Sequence, residues 1–183
     1  MPSLRITAGT LRGRRIPLGL HDVRPTSERA RQAYFNIVGE RADGAHFLDL
    51  FAGSGVFALE ALSRGAASAT AVDISRKAIE AIRELAASWN IEVTTVNADA
   101  LAGIKRLDGR VFDLVYADPP YDYPRYDQLL ESIDGELGLA PRSLVAIEHK
   151  RRTEPFTFQP GHLEFERTVE HGEVWIDLFE RGP

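Results

Sequence analysis

Hydrophobic and polar positions along this chain switch between a period of two and a helical period, and the switches predict its elements. Residues 4–8 and 14–18 alternate, and Gly9 and Gly13 bracket the stretch between them, which predicts a β-hairpin. Pro25, with Thr26 or Ser27 as N-cap, opens a helix in which Ala30, Ala33, Tyr34, Ile37 and Val38 recur at helical spacing until Gly39. From His46 onward, strand-like runs at 48–51, 69–73, 93–97, 111–117 and 144–147 are separated by connecting segments. Helical patterns occupy 56–64, with Gly65 as C-cap, and 126–133. A further helix follows the cap Ser75, with Ala78, Ile82, Leu85, Ala86 and Trp89 as its apolar stripe. Residues 163–169 and 174–179 alternate around His171-Gly172 and close the chain as an antiparallel hairpin. Alternating strands and helices call for an α/β fold, with a mainly parallel central sheet covered by helices on both faces. The expected organisation is one such domain over residues 21–183, carrying an N-terminal β-hairpin extension over residues 1–20.

Length and composition fit one soluble globular domain, and no apolar run is long enough to cross a bilayer. The first residues, Met1-Pro2-Ser3-Leu4-Arg5, lack the apolar core of a signal peptide. With no cysteine, disulfides, thiolate metal sites and cysteine nucleophiles are excluded, and a cytoplasmic location is expected. The net charge of -5 is unevenly distributed. Residues 1–31 hold seven arginines against Asp22 and Glu28, a local balance of +5, so the remainder carries -10. Such a basic segment either meets a polyanion or simply solvates an exposed hairpin. Its polar face is expected to carry Arg5, Arg12, Arg14 and Arg15, with Arg24 in the loop that follows.

The chemistry-bearing residues fall where strands end, which is where open α/β sheets bind ligands. The turn Phe51-Ala52-Gly53-Ser54-Gly55 follows the first strand of the alternating region, just after Asp49. Asp73 ends the next strand, Asp99-Ala100 follows the third, and Asp118-Pro119-Pro120-Tyr121 follows the fourth. An acidic residue in the place of Asp73 can accept hydrogen bonds from both ribose hydroxyls of a nucleoside cofactor. Asp73 and Asp99 also read as helix-initiating carboxylates. The turn lacks the third glycine of the dinucleotide fingerprint, because Ala58 stands there, and no Gly-Lys-Ser/Thr follows to cradle a phosphate. A cofactor without a pyrophosphate is favoured, namely S-adenosylmethionine, with Asp49, Phe51, Ala52, Gly53, Gly55, Asp73, Asp99 and Ala100 as candidate contacts. The five histidines show no ligand spacing and read as surface or loop residues, so no metal is expected.

Asp118-Pro119-Pro120-Tyr121 resembles the Asp/Asn-Pro-Pro-aromatic signature of class I methyltransferases that modify exocyclic amines. The residue types suit that chemistry. The amine lone pair is delocalised into the base, so a carboxylate from Asp118 and the carbonyl of Pro119 accept its two N–H bonds. That geometry favours a more tetrahedral nitrogen aimed at the sulfonium methyl. The prolines fix the backbone without competing N–H donors, and Tyr121 stacks on the base.

A closer likeness extends over nearly the whole chain. Arg24-Pro25-Thr26, Arg29-Ala30-Arg31-Gln32-Ala33-Tyr34-Phe35-Asn36, the segment 48–55, Leu59-Glu60-Ala61-Leu62-Ser63-Arg64-Gly65-Ala66 and Asp118-Pro119-Pro120-Tyr121 resemble the RsmD family. Its members are bacterial 16S ribosomal RNA guanine-N2 methyltransferases with a Rossmann-like fold. The resemblance implies methylation of one guanine, expected to be guanine-966, on the small subunit or an assembly intermediate, by a monomer that needs neither membrane nor metal. It also implies that the segment around 24–36 lies against the cofactor, with Thr26 as a contact. Two positions depart from the family pattern: Val56-Phe57-Ala58-Leu59 replaces smaller residues and a glycine, and Asp73 stands where glutamate is common. On this reading Arg5, Arg12, Arg14, Arg15 and Arg24 contact RNA phosphates while the pocket reads a flipped-out base. Removing the hairpin is then expected to abolish RNA methylation and spare cofactor binding. Two alternatives stand beside this one. An adenine-N6 methyltransferase on DNA or RNA would use the same signature, and a non-catalytic RNA-binding assembly factor would keep the same fold.

Overall fold

The computed structural model describes residues 3–17, 28–150, 158 and 161–183. Thr26 and Arg24 lie outside these residues, as does the predicted start of the first helix. Two short strands, β1 (Ser3–Arg5) and β2 (Arg15–Pro17), pair antiparallel with Leu4 opposite Ile16. Helix α1 (Glu28–Val38) and a 3-10 turn (Gly39–Ala42) lead into the alternating region. There β3 (His46–Leu50), α2 (Val56–Ser63), β4 (Ser68–Asp73), α3 (Arg76–Trp89), β5 (Thr94–Asn97), α4 (Ala100–Arg106), β6 (Val111–Ala117), α5 (Tyr126–Glu136) and β7 (Gly138–Lys150) follow in turn. The chain closes with β8 (Leu163–His171) and β9 (Val174–Arg181).

Among the described residues the main sheet has seven strands in the order β5-β4-β3-β6-β7-β9-β8. Strands β3 to β7 run parallel, and β8 and β9 are antiparallel. Strand β3 pairs with β4 on one side and β6 on the other, so the winding reverses between β3 and β6 and opens a crevice at their carboxyl ends. This is the expected fold class, a Rossmann-like mainly parallel sheet with an antiparallel ending.

Period-two alternation sorts the strand residues onto two cores. Phe47, Leu114 and Tyr116 face Tyr34 and Phe35 of α1 and Phe57 of α2, with the Tyr116 and Phe57 rings stacked at 3.8 Å. Leu48, Leu50, Val115 and Ala117 face Ile104 of α4 and Leu129, Leu130 and Ile133 of α5. Each buried aromatic or aliphatic side chain contributes about 1.5–3 kcal/mol.

Three features differ from the sequence expectation. Strand β7 has 13 residues rather than the four at 144–147, because its amino-terminal end pairs with the start of β6 across an irregularity between Phe112 and Leu114. No helical stretch is read from the pattern after Asp99, although Asp99 itself reads as a helix cap, and α4 has Gly103 in its interior. That glycine lets the helix approach the sheet: a Cβ there would lie 2.5 Å from Val72 Cγ1. His149, read as a surface residue, is buried in β7, where its Nε2 lies 3.1 Å from Asp177 Oδ2.

The N-terminal hairpin is built into the first core through buried Ile6, Leu11 and Ile16. Its loop docks on α2, where the Thr10 amide donates to the Ser63 carbonyl at 2.8 Å and the Leu11 amide to Ser63 Oγ at 2.9 Å. Gly9 has φ +78°, and a Cβ there would lie 1.6 Å from the Ser63 carbonyl oxygen, so the docking requires glycine. Removing the hairpin would therefore strip apolar cover from the core as well as basic charge. Arg31, counted with the basic segment, is wholly buried and faces Glu60 of α2, while Arg5, Arg12, Arg14 and Arg15 are exposed.

Candidate active site

The β3–α2 turn is shaped by its backbone. Phe51, Gly53 and Gly55 all have positive φ (67°, 51° and 73°), which folds the turn back over the strand ends. It is tied to β4 by the Ala52 amide, which donates to the Val72 carbonyl at 3.0 Å, and by the Gly53 amide, which donates to Asp73 Oδ2 at 2.8 Å. The Asp118 amide lies 3.4 Å from the Leu50 carbonyl, joining the Pro-Pro segment to the end of β3 across the crevice.

A cavity of about 420 Å³ lies over these strand ends. Phe51 and Gly53 enter its wall from the turn, Val72 to Ser75 from β4 and the residues after it, and Ala98 to Ala100 from the β5–α4 junction. Asp118, Pro119, Pro120 and Tyr121 enter from the end of β6, Glu148 from β7, and Val174 from β9. The structure thus brings together Phe51, Gly53, Asp73, Asp99, Ala100, Asp118, Pro119 and Tyr121 from the sequence-predicted set.

Three other described candidates, Asp49, Ala52 and Gly55, sit behind the wall. Asp49 is buried under the turn, and its Oδ2 accepts from the Ala58 amide at 3.3 Å in the first turn of α2. Burial holds its carboxyl well above the ordinary value, the Ala58 N–H opposes that shift, and the charges of Asp73 and Asp118 add to it. Ala52 and Gly55 are buried supports of the turn. Asp99 serves as N-cap of α4 and pairs with Arg125 at 2.8 Å, so its structural role coexists with its place in the wall.

Asp73 offers a direct test of fit to a nucleoside cofactor. A carboxylate has about four acceptor positions. The Gly53 amide takes one on Oδ2, and the Ser75 amide takes one on Oδ1 at 2.7 Å. Each oxygen therefore keeps a position for one hydroxyl of a ribose diol. Tyr121 lines the opposite wall, and Lys150 Nζ stands 4.5 Å from the centroid of its ring. A cation and a half-buried aromatic ring there suit an electron-rich base and its phosphates.

Glu148 is the functional candidate that sequence reasoning missed. It follows Ile147, which pairs with Ala117, so Glu148 and Asp118 stand side by side at the ends of neighbouring strands. The rule that picked out Asp118, a carboxylate just past a strand end, applied equally to Glu148. The Tyr116 hydroxyl donates to Glu148 Oε2. Burial, followed by the charges of Glu148 and Asp118, pushes the Tyr116 phenol well above its ordinary value, so it remains a donor.

Similarity to known proteins agrees with this geometry. The family described as "Conserved hypothetical protein 95" matches residues 4–180. The chain is 31% identical over 180 residues to Ribosomal RNA small subunit methyltransferase D of Escherichia coli (strain K12), covering 97% of this chain and 90% of that protein. It is 31% identical to Putative rRNA methyltransferase YlbH of Bacillus subtilis (strain 168), covering 97% and 99%. The solved structure of putative methyltransferase yhhF from Escherichia coli superposes with a TM-score of 0.85 at 30% identity over 99% of each chain. The chain therefore belongs to the conserved hypothetical protein 95 family, that of the RsmD methyltransferases, and has the class I S-adenosylmethionine-dependent methyltransferase fold.

Proposed function

We propose that this chain transfers a methyl group from S-adenosylmethionine to the exocyclic N2 of one guanine in 16S ribosomal RNA, guanine-966, on the small subunit or its assembly intermediate. The observation that carries the reading is the junction of Asp118-Pro119-Pro120-Tyr121 with Asp73 and the Gly53 turn in one cavity. The names of the relatives point to small-subunit ribosomal RNA as the substrate class. The reading describes a monomer acting in the cytoplasm.

When bound, S-adenosylmethionine supplies an electrophilic methyl on a sulfonium. Asp73 holds the ribose, and the turn at Gly53 sets the depth of the nucleoside. The Asp118 carboxylate and the Pro119 carbonyl accept the two amine hydrogens, which turns the nitrogen lone pair toward the methyl. Tyr121 covers the face of the base and excludes water. As the N–C bond forms and the S–CH₃ bond breaks, its electron pair would stay on sulfur as a thioether; Asp118 stabilises the charge that develops on the nitrogen, and the proton passes to solvent after transfer.

The exposed Arg5, Arg12, Arg14 and Arg15 form the RNA-phosphate contacts of this reading, outside the base pocket. Arg14 also lies over the Trp89 ring at 5.3 Å. Replacing Arg12 or Arg15 with glutamine is expected to reduce the slope of log affinity against log salt by about 0.7–0.9 each. S-adenosylmethionine binding should be unchanged. An unaltered slope in RNA-binding titrations would remove these residues from the interface.

The whole reading is tested by incubating the protein with labelled S-adenosylmethionine and small subunits from a strain lacking this modification, then mapping the product. N2-methylguanosine at one position is expected, and N6-methyladenosine would overturn the assignment.

A further inference from the structure

Asp118-Pro119-Pro120-Tyr121 grips an amine without stating which base carries it. Guanine N2, adenine N6 and cytosine N4 all offer two N–H bonds to an acceptor pair. They differ in what stands beside the amine. Guanine has a ring N1–H donor next to N2, whereas adenine presents the N1 lone pair and cytosine the N3 lone pair. A second acceptor beside the amine-gripping pair therefore selects guanine, and a donor in that place would select adenine or cytosine.

Glu148 stands in that place. Strands β6 and β7 are parallel neighbours, about 4.8 Å apart. Their register pairs Ala117 with Ile147, so the next residue on each strand, Asp118 and Glu148, carries its carboxylate to the same cavity wall. Glu148 is 3% exposed, between Ile147 and the buried His149, and faces the buried Ile176 across the β7–β9 pair. Tyr116 secures the Glu148 carboxylate from below. The Tyr116 ring is stacked on Phe57 at 3.8 Å and tilted against Tyr34 at 4.8 Å, and its hydroxyl donates to Oε2. The carboxylate is thus held at the cavity wall by a rigid aromatic post.

We infer that Glu148 is the base-selecting residue of this site: its carboxylate accepts the N1–H of guanine while Asp118 and Pro119 hold the N2 amine, and it repels the ring lone pair of adenine or cytosine. The inference rests on the proposed guanine-N2 activity and adds the residue that enforces it. Tyr116 is the positioning residue behind it.

The test uses the full chain and small subunits reconstituted with guanine, 2-aminopurine or adenine at the target position. 2-Aminopurine keeps the N2 amine in place but has a lone pair at N1. Wild-type protein is expected to prefer guanine over 2-aminopurine by about 10²-fold in kcat/KM. This arm needs no variant, so it does not depend on how a substitution folds. Glu148→Gln retains an oxygen for Tyr116 and presents an amide N–H₂. It should lose about 10²-fold on guanine, accept 2-aminopurine at least as well as guanine, and bind S-adenosylmethionine as wild type does. Tyr116→Phe should narrow the same preference without removing it. Guanine methylation by wild type, with the same guanine preference retained by Glu148→Gln, would overturn the role of Glu148 alone. Equal wild-type use of guanine and 2-aminopurine would do the same. Wild-type methylation of adenine in place of guanine would overturn both the role and the activity on which it rests.

Discussion

Replacing Asp118 with alanine is expected to lower methyl transfer to RNA by about 10³-fold while S-adenosylmethionine affinity changes by less than about threefold. The two effects separate because of where the side chain stands. On the proposed reading the nucleoside is held on the β4 side, by Asp73 and the turn it ties down at Gly53. Asp118 stands across the crevice, next to Pro119 and Tyr121. On that reading its carboxylate meets an amine that becomes cationic only as the new bond forms, so its contribution is larger in the transition state than in the ground state. The loss should fall mainly on kcat. Asp118→Asn keeps an acceptor but removes the charge, and about 10–10²-fold loss is expected of it. Folding should survive both changes, because the link to Leu50 is made by the backbone amide of residue 118. Single-turnover rates with saturating cofactor, together with calorimetric binding of S-adenosylmethionine, measure the two quantities. Turnover within threefold of wild type would refute the assigned role. A parallel collapse of cofactor binding would instead place Asp118 on the nucleoside side of the cavity.

Much of this arrangement was legible because the residues carrying it are also the residues that punctuate the chain. Strand β6 was read with its observed bounds, since an apolar run ends abruptly at Asp118-Pro119. Asp73 and Ser75 marked the end of β4 and the start of α3 for the same reason. Other features were hidden because their cause lies far away in sequence. Gly103 looks like a helix breaker until Val72 is found 2.5 Å from where its Cβ would be. Strand β7 begins with Gly138 and includes Pro141, both poor strand formers, and owes its length to pairing with β6 and β9. Glu148 falls just past the strand read at 144–147, but only the register with Ala117 shows which carboxylate it stands beside. Local pattern therefore gave the strand ends that line the cavity, whereas the pairing that sets Glu148 beside Asp118 is a long-range feature that no local pattern contains.

Glu60 shows the same limit on the stability side, and its replacement by alanine is expected to cost about 3–5 kcal/mol. On sequence Glu60 is one charge in a short helix, yet seven of the eight residues of α2, Glu60 among them, are buried. Its carboxylate accepts from the Thr7 amide at 2.9 Å, the Ala8 amide at 3.1 Å and Arg64 Nε at 3.0 Å. It also lies 3.5 Å from Arg31 Nε, with both side chains wholly inaccessible to solvent. Burial lowers the pKa of the Arg31 guanidinium, and Glu60 is the first influence opposing that shift. Alanine at position 60 would leave that cation buried without its counter-charge and two hairpin amides without their acceptor. The cost is accordingly that of an uncompensated buried ion, well above that of an exposed ion pair. For a chain of this size it corresponds to a fall in Tm of roughly 6–20 °C. Because Thr7 and Ala8 connect β1 to the docked loop, the hairpin should loosen first. Below the transition, RNA affinity should then drop while S-adenosylmethionine binding persists. Denaturant unfolding followed by tryptophan fluorescence, with hydrogen exchange at residues 3–17, distinguishes local from global loss. Changing Glu60 and Arg31 together to methionine should recover part of the stability, since it removes the unpaired charge although the two amides stay unsatisfied. An E60A protein within 1 kcal/mol of wild type would mean that Ile6, Leu11 and Ile16 hold the hairpin by apolar contact alone, and that the buried ion pair contributes nothing to presenting the basic face.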